Sequence, residues 1–298
     1  MQKRQITENE GEFISGMQSR TRLYIPENEL AQISAKTVAV AGLGGVGGTV
    51  VELLARLGVK RFRLCDKDKY ELSNLNRQIY ATLDTIGRYK ADVCAERVTE
   101  INPYAEVERV LNERLDNDNA QSFIKGADVV FNEADSTSAS LLLHRVAREH
   151  EVPLIDGHGY KKYSVMVHIY DYRNSHQRGL DEPFRLQFLN RLAKRLVTRT
   201  SDVAELSREE LERLDGVPET QGSLDFVVCV AACLVVAETV KLFTGRGRTF
   251  CHPKEVCLDL FALKLRVRHK YSALNLVKAI WRRHAEIRRN AASLLGRP

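Results

Sequence analysis

The residues of this 298-residue chain that could do chemistry begin with a glycine run, Gly42-Leu43-Gly44-Gly45-Val46-Gly47. A backbone without side chains can approach a pyrophosphate closely there, and the start of a following helix favours its negative charge. Asp66, 24 residues beyond Gly42, is spaced to accept from a ribose hydroxyl, with Asp68 beside it on the same loop. Those residues alone say only "nucleotide". Asn74, Arg77 and Lys90 follow close behind. A hydride-transfer site has no need of an amide and two cations at that distance from the ribose carboxylate, whereas a polyphosphate does, because Arg77 and Lys90 can spread positive charge over its oxygens. Asp135 follows a short apolar strand and is suited to hold Mg²⁺ or to position an attacking group. For any one of these residues by itself a solvated ion pair is the better account; the ordered set points to one edge of one sheet.

The elements that must position this set are legible in the apolar pattern. Residues 37–41 (TVAVA) are too short and too β-branched for a helix, and the glycine run follows at once. A helix over 46–57 stops at Gly58, and residues 62–65 give the next strand, ending on Asp66. Strand, glycine turn, helix and strand make a βαβ unit with a parallel sheet. A helix over 89–101 stops at Asn102-Pro103; strands at 107–111, 129–132 and 153–156, with a helix over 138–150, continue the alternation. The expected fold is α/β: a Rossmann-like, doubly wound, mostly parallel sheet with a C-terminal antiparallel extension and a terminal helix.

Beyond about residue 155 the texture changes. Residues 164–172 (SVMVHIYDY) alternate like a half-exposed strand, and 173–222 are charged and loop-like. Within that stretch Asp181-Glu182-Pro183 opens a helix, and Ser207-Arg208-Glu209-Glu210 is a capping box ahead of Leu211, with Gly216 as its stop. The apolar run at 226–237 falls short of the ~20 residues that span a bilayer and reads as part of a buried helix over about 224–243, ending on Gly245. Strands over 255–268 and a basic amphipathic helix over 273–295 close the chain. The organisation expected is one domain over 1–298: a nucleotide-binding half (15–172), a crossover segment (173–223), the C-terminal half of the sheet (224–271) and the basic helix (272–298).

Composition narrows the classes. With 44% hydrophobic residues the chain can bury a real core, which excludes disorder. The polar start, MQKRQITENEGEF, is no secretory leader, so a cytoplasmic setting is the expectation. The formal charge of +6 is uneven: residues 246–298 hold 13 Lys/Arg against 3 Asp/Glu, leaving 32 against 36 before them. The six cysteines read as thiols. A zinc set drawn from Cys229, Cys233, Cys251, His252 and Cys257 lacks the usual paired spacing, and Cys229 and Cys233 read as small hydrophobes within the apolar helix.

The ordered motifs AGLGGVGG, LCDKDKYELSNLNRQ, GRYKADVCAERVTEINP and a strand ending in NEADS resemble the ThiF/MoeB/ubiquitin-activating-enzyme superfamily of ATP-dependent adenylyltransferases. The resemblance covers about residues 19–159 plus the helix ending TVKLFTG. Arg-Leu-Tyr at 22–24 and Ala-Glu-Arg-x-x-x-Ile-Asn-Pro at 95–103 look most like the tRNA threonylcarbamoyladenosine dehydratase branch. It implies that Gly42, Gly44, Gly45 and Gly47 line ATP, that Asp66 binds ribose, that Asn74, Arg77 and Lys90 bind the phosphates, and that Asp135 coordinates Mg²⁺ near the α-phosphate. It also implies that Arg22, with Arg20 as the alternative, is an arginine finger supplied by a partner subunit, hence a homodimer. The family's Asp-Asn pair is Asp135-Ser136 here, which touches fine specificity.

The implied reaction is attack of a substrate carboxylate on the α-phosphate with loss of pyrophosphate, catalysed by positioning and charge neutralisation. The substrate is most simply the C-terminal glycine of a small ubiquitin-like sulfur carrier, otherwise a peptide or a tRNA-linked carboxylate. No cysteine lies between Asp171 and Phe226, so a thioester in the crossover segment is not expected. A nicotinamide-dependent oxidoreductase accounts for the glycines and Asp66 but leaves Arg77, Lys90 and Asp135 unused; a non-catalytic scaffold has no need of the phosphate-handling residues. The basic tail helix, with Lys278, Arg282, Arg283, Arg288 and Arg289, could meet RNA, an anionic membrane or an acidic partner, or simply pack.

Overall fold

In a computed structural model of the chain, residues 9–160, 163–180, 207–215 and 222–269 are described. Two short helices, α1 (Glu10–Met17) and α2 (Glu27–Ser34), precede β1 (Thr37–Ala41), α3 (Gly45–Leu57), β2 (Arg61–Cys65), α4 (Lys90–Ile101) and β3 (Glu106–Leu111). Next come α5 (Ala120–Ile124), β4 (Val129–Asn132), α6 (Thr137–Glu149) and the antiparallel pair β5 (Leu154–Tyr160) and β6 (Ser164–Tyr170). Then follow α7 (Arg208–Asp215), α8 (Asp225–Thr244), β7 (Lys254–Asp259) and β8 (Lys264–His269).

The eight strands form one sheet in the order β3-β2-β1-β4-β5-β6-β7-β8. The first five are parallel and the last three add antiparallel. The chain winds from β1 through β2 to β3 on one side and then returns to pair β4 on the other. The order therefore reverses at β1, and the crevice outside the carboxyl ends of β1, β2 and β4 is where such a sheet binds ligands. Alternation along β1 shows both faces covered: Val38 and Val40 enter the core beneath α3 and α8, while Ala39 and Ala41 join the core with Phe123, Leu143 and Val146 of α5 and α6. A fully buried parallel strand needs no polar positions, hence TVAVA. Helix α3 buries Val50, Val51, Leu54 and Ala55 completely, at about 1.5–3 kcal/mol for each of the larger side chains, and ends on Gly58 at φ +97°.

Three sequence expectations change. Strand β6 is buried at every residue, because β5 and β7 flank it in the sheet, α8 packs on one face, and the polar members of its alternation are satisfied by neighbours instead of by water. The apolar helix α8 is long and apolar enough to cross a membrane, yet only 39% of its most apolar window is buried, through packing on α3, β5 and β6. Phe226, Cys229 and Cys233 stand exposed, so the two cysteines are not core hydrophobes. Nor do Cys229, Cys233, Cys251, His252 and Cys257 assemble as a metal-ligand group among the described residues. Cys65 and Cys94 are buried, and burial raises both thiols far above the ordinary range. The capping box before α7 forms as its residues suggest: Ser207 N–H donates to Glu210 Oε2 and Glu210 N–H to Ser207 Oγ. The helix opened by Asp181-Glu182-Pro183, the stop at Gly216, most of the crossover segment and the basic terminal helix lie outside the described residues.

Candidate functional site

The glycine loop is built by its own packing. Gly42 sits at φ +88° and donates its N–H to the Cys65 carbonyl at 2.8 Å; a side chain there would run into the Glu133 backbone. A Cβ on Gly47 would overlap the Gly42 carbonyl, and one on Gly45 would meet Val228 Cγ1 of α8 at 2.6 Å and the Arg77 carbonyl at 3.3 Å. Gly44 differs: the nearest atom to a Cβ there is Gln78 Nε2 at 3.7 Å, so nothing in the protein itself demands a glycine. No side chain caps α3, whose first intrahelical bond runs from Gly48 N–H to the Gly44 carbonyl, so the opening N–H groups face the crevice. Open backbone at an uncapped helix N-terminus suits an anion.

Asp66 clamps this loop. Its Oδ2 accepts from Leu43 N–H at 2.7 Å and its Oδ1 from Asp68 N–H at 2.8 Å. Burial raises the Asp66 carboxyl, and Lys90 opposes the shift without cancelling it. Lys90 starts α4 although it is 24 residues away in sequence, because a Lys69–Tyr89 bridge folds the loop back and Lys90 N–H donates to the Asp68 carbonyl at 3.0 Å. The Lys90 side chain is only 8% exposed, with Nζ 3.7 Å from Asp68 Oδ2. A buried ammonium with such loose pairing is a charge in search of an anion.

Arg77 lies beside Gly45 and is held by the Ser73 carbonyl and Asn76 Oδ1, both at 2.9 Å, with no carboxylate in salt-bridge range among the described residues. Asn74 is buried and closes its own turn: Oδ1 accepts from Glu71 N–H, and Nδ2 donates to Ser73 Oγ. Gln78, which sequence reasoning passed over, is buried next to Gly44, and its Oε1 has no partner among the described residues. Only packing reveals it, since a glutamine after Arg77 reads as one more polar loop residue.

Two acids leave the end of β4. Asp135 is exposed and makes no hydrogen bond or ion pair among the described residues, so its oxygens are free for a hard cation of the Mg²⁺ type. Glu133, unremarked in the sequence, accepts from Gly157 N–H at 3.1 Å; burial and then Asp156 push its carboxyl well above the usual range. A second unforeseen link ties the crossover segment to this edge. Asp215 of α7 accepts from Ser138 N–H at 2.8 Å and from Ser136 Oγ at 2.8 Å, and pairs with buried Arg114. Asp135 stands immediately before that anchored turn.

Arg22 is not brought to this edge. It lines an open cleft of about 520 Å³ with Ala35, Lys60 and Arg61 at the amino ends of β1 and β2. There its guanidinium donates to Ser15 and pairs with Glu27 at 3.1 Å; Arg20 is exposed nearby. Within one chain, Arg22 and the glycine loop occupy opposite edges of the sheet.

An uncapped helix start, a clamped ribose-type carboxylate and two cations on the carboxyl edge of a doubly wound sheet agree with the motif order. Residues 18–276 match the ThiF family. The chain belongs to the ThiF family. The chain is 37% identical over 141 residues to the tRNA threonylcarbamoyladenosine dehydratase of Bacillus subtilis (strain 168), covering 47% of this chain and 56% of that protein. Over 136 residues it is 36% identical to the SAMP-activating enzyme E1 of Haloferax volcanii, covering 46% and 50% respectively. The chain thus spans about half the length of the curated relatives it matches. Among solved structures, PaaA superposes with a TM-score of 0.66 at 21% identity, covering 90% of this ThiF-family chain and 77% of PaaA. An E. coli MccB structure with ATP gives a TM-score of 0.61 at 18% identity, covering 81% and 65%. These two likenesses show the fold.

Proposed function

We propose that this ThiF-family chain is a Mg²⁺- and ATP-dependent adenylyltransferase acting on a carboxylate, cytoplasmic and working as a homodimer over a single domain. The observation that carries the reading is the convergence of loosely paired Lys90, carboxylate-free Arg77 and the open N-terminus of α3 on the edge where Asp66 and Asp135 also lie. The glycine loop of Gly42, Gly44, Gly45 and Gly47 would receive the phosphates, with Gly44 at closest approach, and Asp66 and Asp68 would face the ribose side. Asn74 would hold the turn that presents Arg77, and Gln78 would donate from Nε2, its atom nearest Gly44, to a phosphate oxygen. A substrate carboxylate oxygen attacks the α-phosphorus, the bond to the bridging oxygen breaks, and pyrophosphate leaves as an acyl-adenylate forms. Lys90 and Arg77 stabilise the negative charge that develops on the phosphate oxygens. Mg²⁺ bound at Asp135 would supply further neutralisation there. Arg22 would act from the partner subunit, since its own chain keeps it at the far edge.

The C-terminal glycine of a small ubiquitin-like carrier is the preferred carboxylate, in line with the likeness to the SAMP-activating enzyme. A tRNA-linked carboxylate is the second reading, favoured by the likeness to tRNA threonylcarbamoyladenosine dehydratases. ATP–pyrophosphate exchange tests both, run with a small Gly-Gly-ended protein and with tRNA. Asp135→Ala and Arg22→Ala should each abolish exchange without unfolding, and mixing the two variants should restore part of it by forming one intact shared site. Absence of exchange with every substrate in the presence of Mg²⁺ would remove the adenylation reading; exchange at the wild-type rate in Asp135→Ala would remove the metal assignment.

A further inference from the structure

On the sheet face opposite α8, where β5 and β6 pair, three side chains gather that the nucleotide reading does not use. Asp156 and His158 point to the same side of β5, being two residues apart, and His168 of β6 is directly opposite Asp156 in the antiparallel register. His168 Nδ1 lies 2.7 Å from Asp156 Oδ1, His158 Nδ1 lies 3.6 Å from the same oxygen, and the three ligand atoms all fall within 4.8 Å of one another. The two imidazoles stack with centroids 5.3 Å apart. We propose that Asp156, His158 and His168 form a binding site for a divalent transition-metal ion of the zinc class.

Three observations support it beyond proximity. The donor set is two nitrogens and one carboxylate oxygen, which suits zinc-class ions and not the all-oxygen shells of Mg²⁺ or Ca²⁺. With bonds of about 2.0–2.2 Å, tetrahedral ligand atoms stand roughly 3.3–3.6 Å apart, so side-chain adjustments on the order of an ångström would complete the geometry from atoms that already lie within 4.8 Å of one another. His168 is also already oriented as a ligand. Its Nε2 is 2.8 Å from Glu255 Oε2, and Glu255 in turn is paired with Arg268 at 2.5 Å. A carboxylate on the far nitrogen holds the proton there and leaves Nδ1 for the metal, the usual outer support of a metal-binding histidine. Binding expels to solvent the proton that otherwise links Asp156 and His168. The His158 side chain is 48% exposed, which leaves an entry path and a fourth position open to water or a ligand.

The test uses the full chain, stripped with a chelator and titrated with Zn²⁺ against a chromophoric competitor, with Co²⁺ as a spectroscopic probe. Because Cys229 and Cys233 are exposed one helical turn apart and attract zinc themselves, the measurements are made in the Cys229→Ser/Cys233→Ser background. The expected result is one tightly bound ion per chain and a Co²⁺ spectrum without thiolate charge transfer. His158→Ala should weaken binding at least ~30-fold, and Glu255→Gln should weaken it by about 10–100-fold. His158 is exposed, so its variant should keep the wild-type circular dichroism; His158→Gln serves in its place if it does not. No stoichiometric uptake at low micromolar Zn²⁺, or equal affinity in a folded His158 variant, would overturn the proposal.

Discussion

Replacing the loop glycines one at a time separates the glycine that a ligand needs from those that the fold needs. Ala at Gly44 meets nothing closer than 3.7 Å, so its cost is the poorer helix start, about 1 kcal/mol or less. If Gly44 is where the phosphates touch the backbone, the added methyl overpacks the complex by about 1–3 kcal/mol, or roughly 5- to 150-fold in nucleotide affinity. Ala at Gly45 puts Cβ 2.6 Å from Val228 Cγ1, the tip of a side chain on a packed helix, and should cost about 1–3 kcal/mol of stability. Pairing it with Val228→Ala removes the obstructing methyl, so the double variant should be more stable than the two single losses sum to. Ala at Gly47 would overlap the Gly42 carbonyl, which cannot move without undoing the loop, and should be the most damaging of the three. Urea unfolding and titration with a non-hydrolysable ATP analogue measure the two quantities in each variant. Wild-type affinity in Gly44→Ala, or a stability loss as large as that of Gly47→Ala, would refute the assignment.

Glu133→Gln should flatten a pH dependence of stability. The Glu133 carboxyl is raised by burial and by Asp156, so the native state binds its proton more tightly than the unfolded chain does; its own contribution to stability is therefore greatest at low pH and is lost as pH rises through the raised value. Gln keeps an acceptor for Gly157 N–H without titrating, so its stability relative to wild type should grow with pH; parallel urea-unfolding curves across the series would contradict this. Asp215→Ala removes the acceptor for Ser138 N–H and Ser136 Oγ and leaves Arg114 unpaired. It should cost about 2–3 kcal/mol, below the range for a fully buried pair because Asp215 retains some exposure, and should slow pyrophosphate exchange about tenfold by loosening the turn that carries Asp135. Unchanged exchange would show that α7 does not position Asp135.

Local chemistry explains which features could be read from the chain alone. TVAVA followed by five glycines in seven residues has few solutions other than a buried strand and a tight turn into a helix, and α3 follows at that point. The Ser207–Glu210 capping box and the Gly58 and Gly245 stops are likewise set by neighbours in sequence. Strand β6 misled because period-two alternation reports two unlike faces without saying whether the polar one meets water or another strand. Its His168 is polar for the sake of Asp156 and Glu255, one on each neighbouring strand.

The sequence by itself determined the ThiF-type order of elements and the placing of the glycine run, Asp66, Arg77 and Lys90 along it, because strand, turn and helix signals act over a few residues. Only the tertiary structure decided that Gly45 serves helix packing while Gly44 stays open, that Gln78 is buried and Glu133 half-buried beside the loop, and that Arg22 stands at the far edge. It alone gathered Asp156, His158 and His168. Those facts depend on strand register and on a helix from the far end of the chain, contacts between residues up to 183 positions apart, as for Gly45 and Val228, that no local pattern encodes.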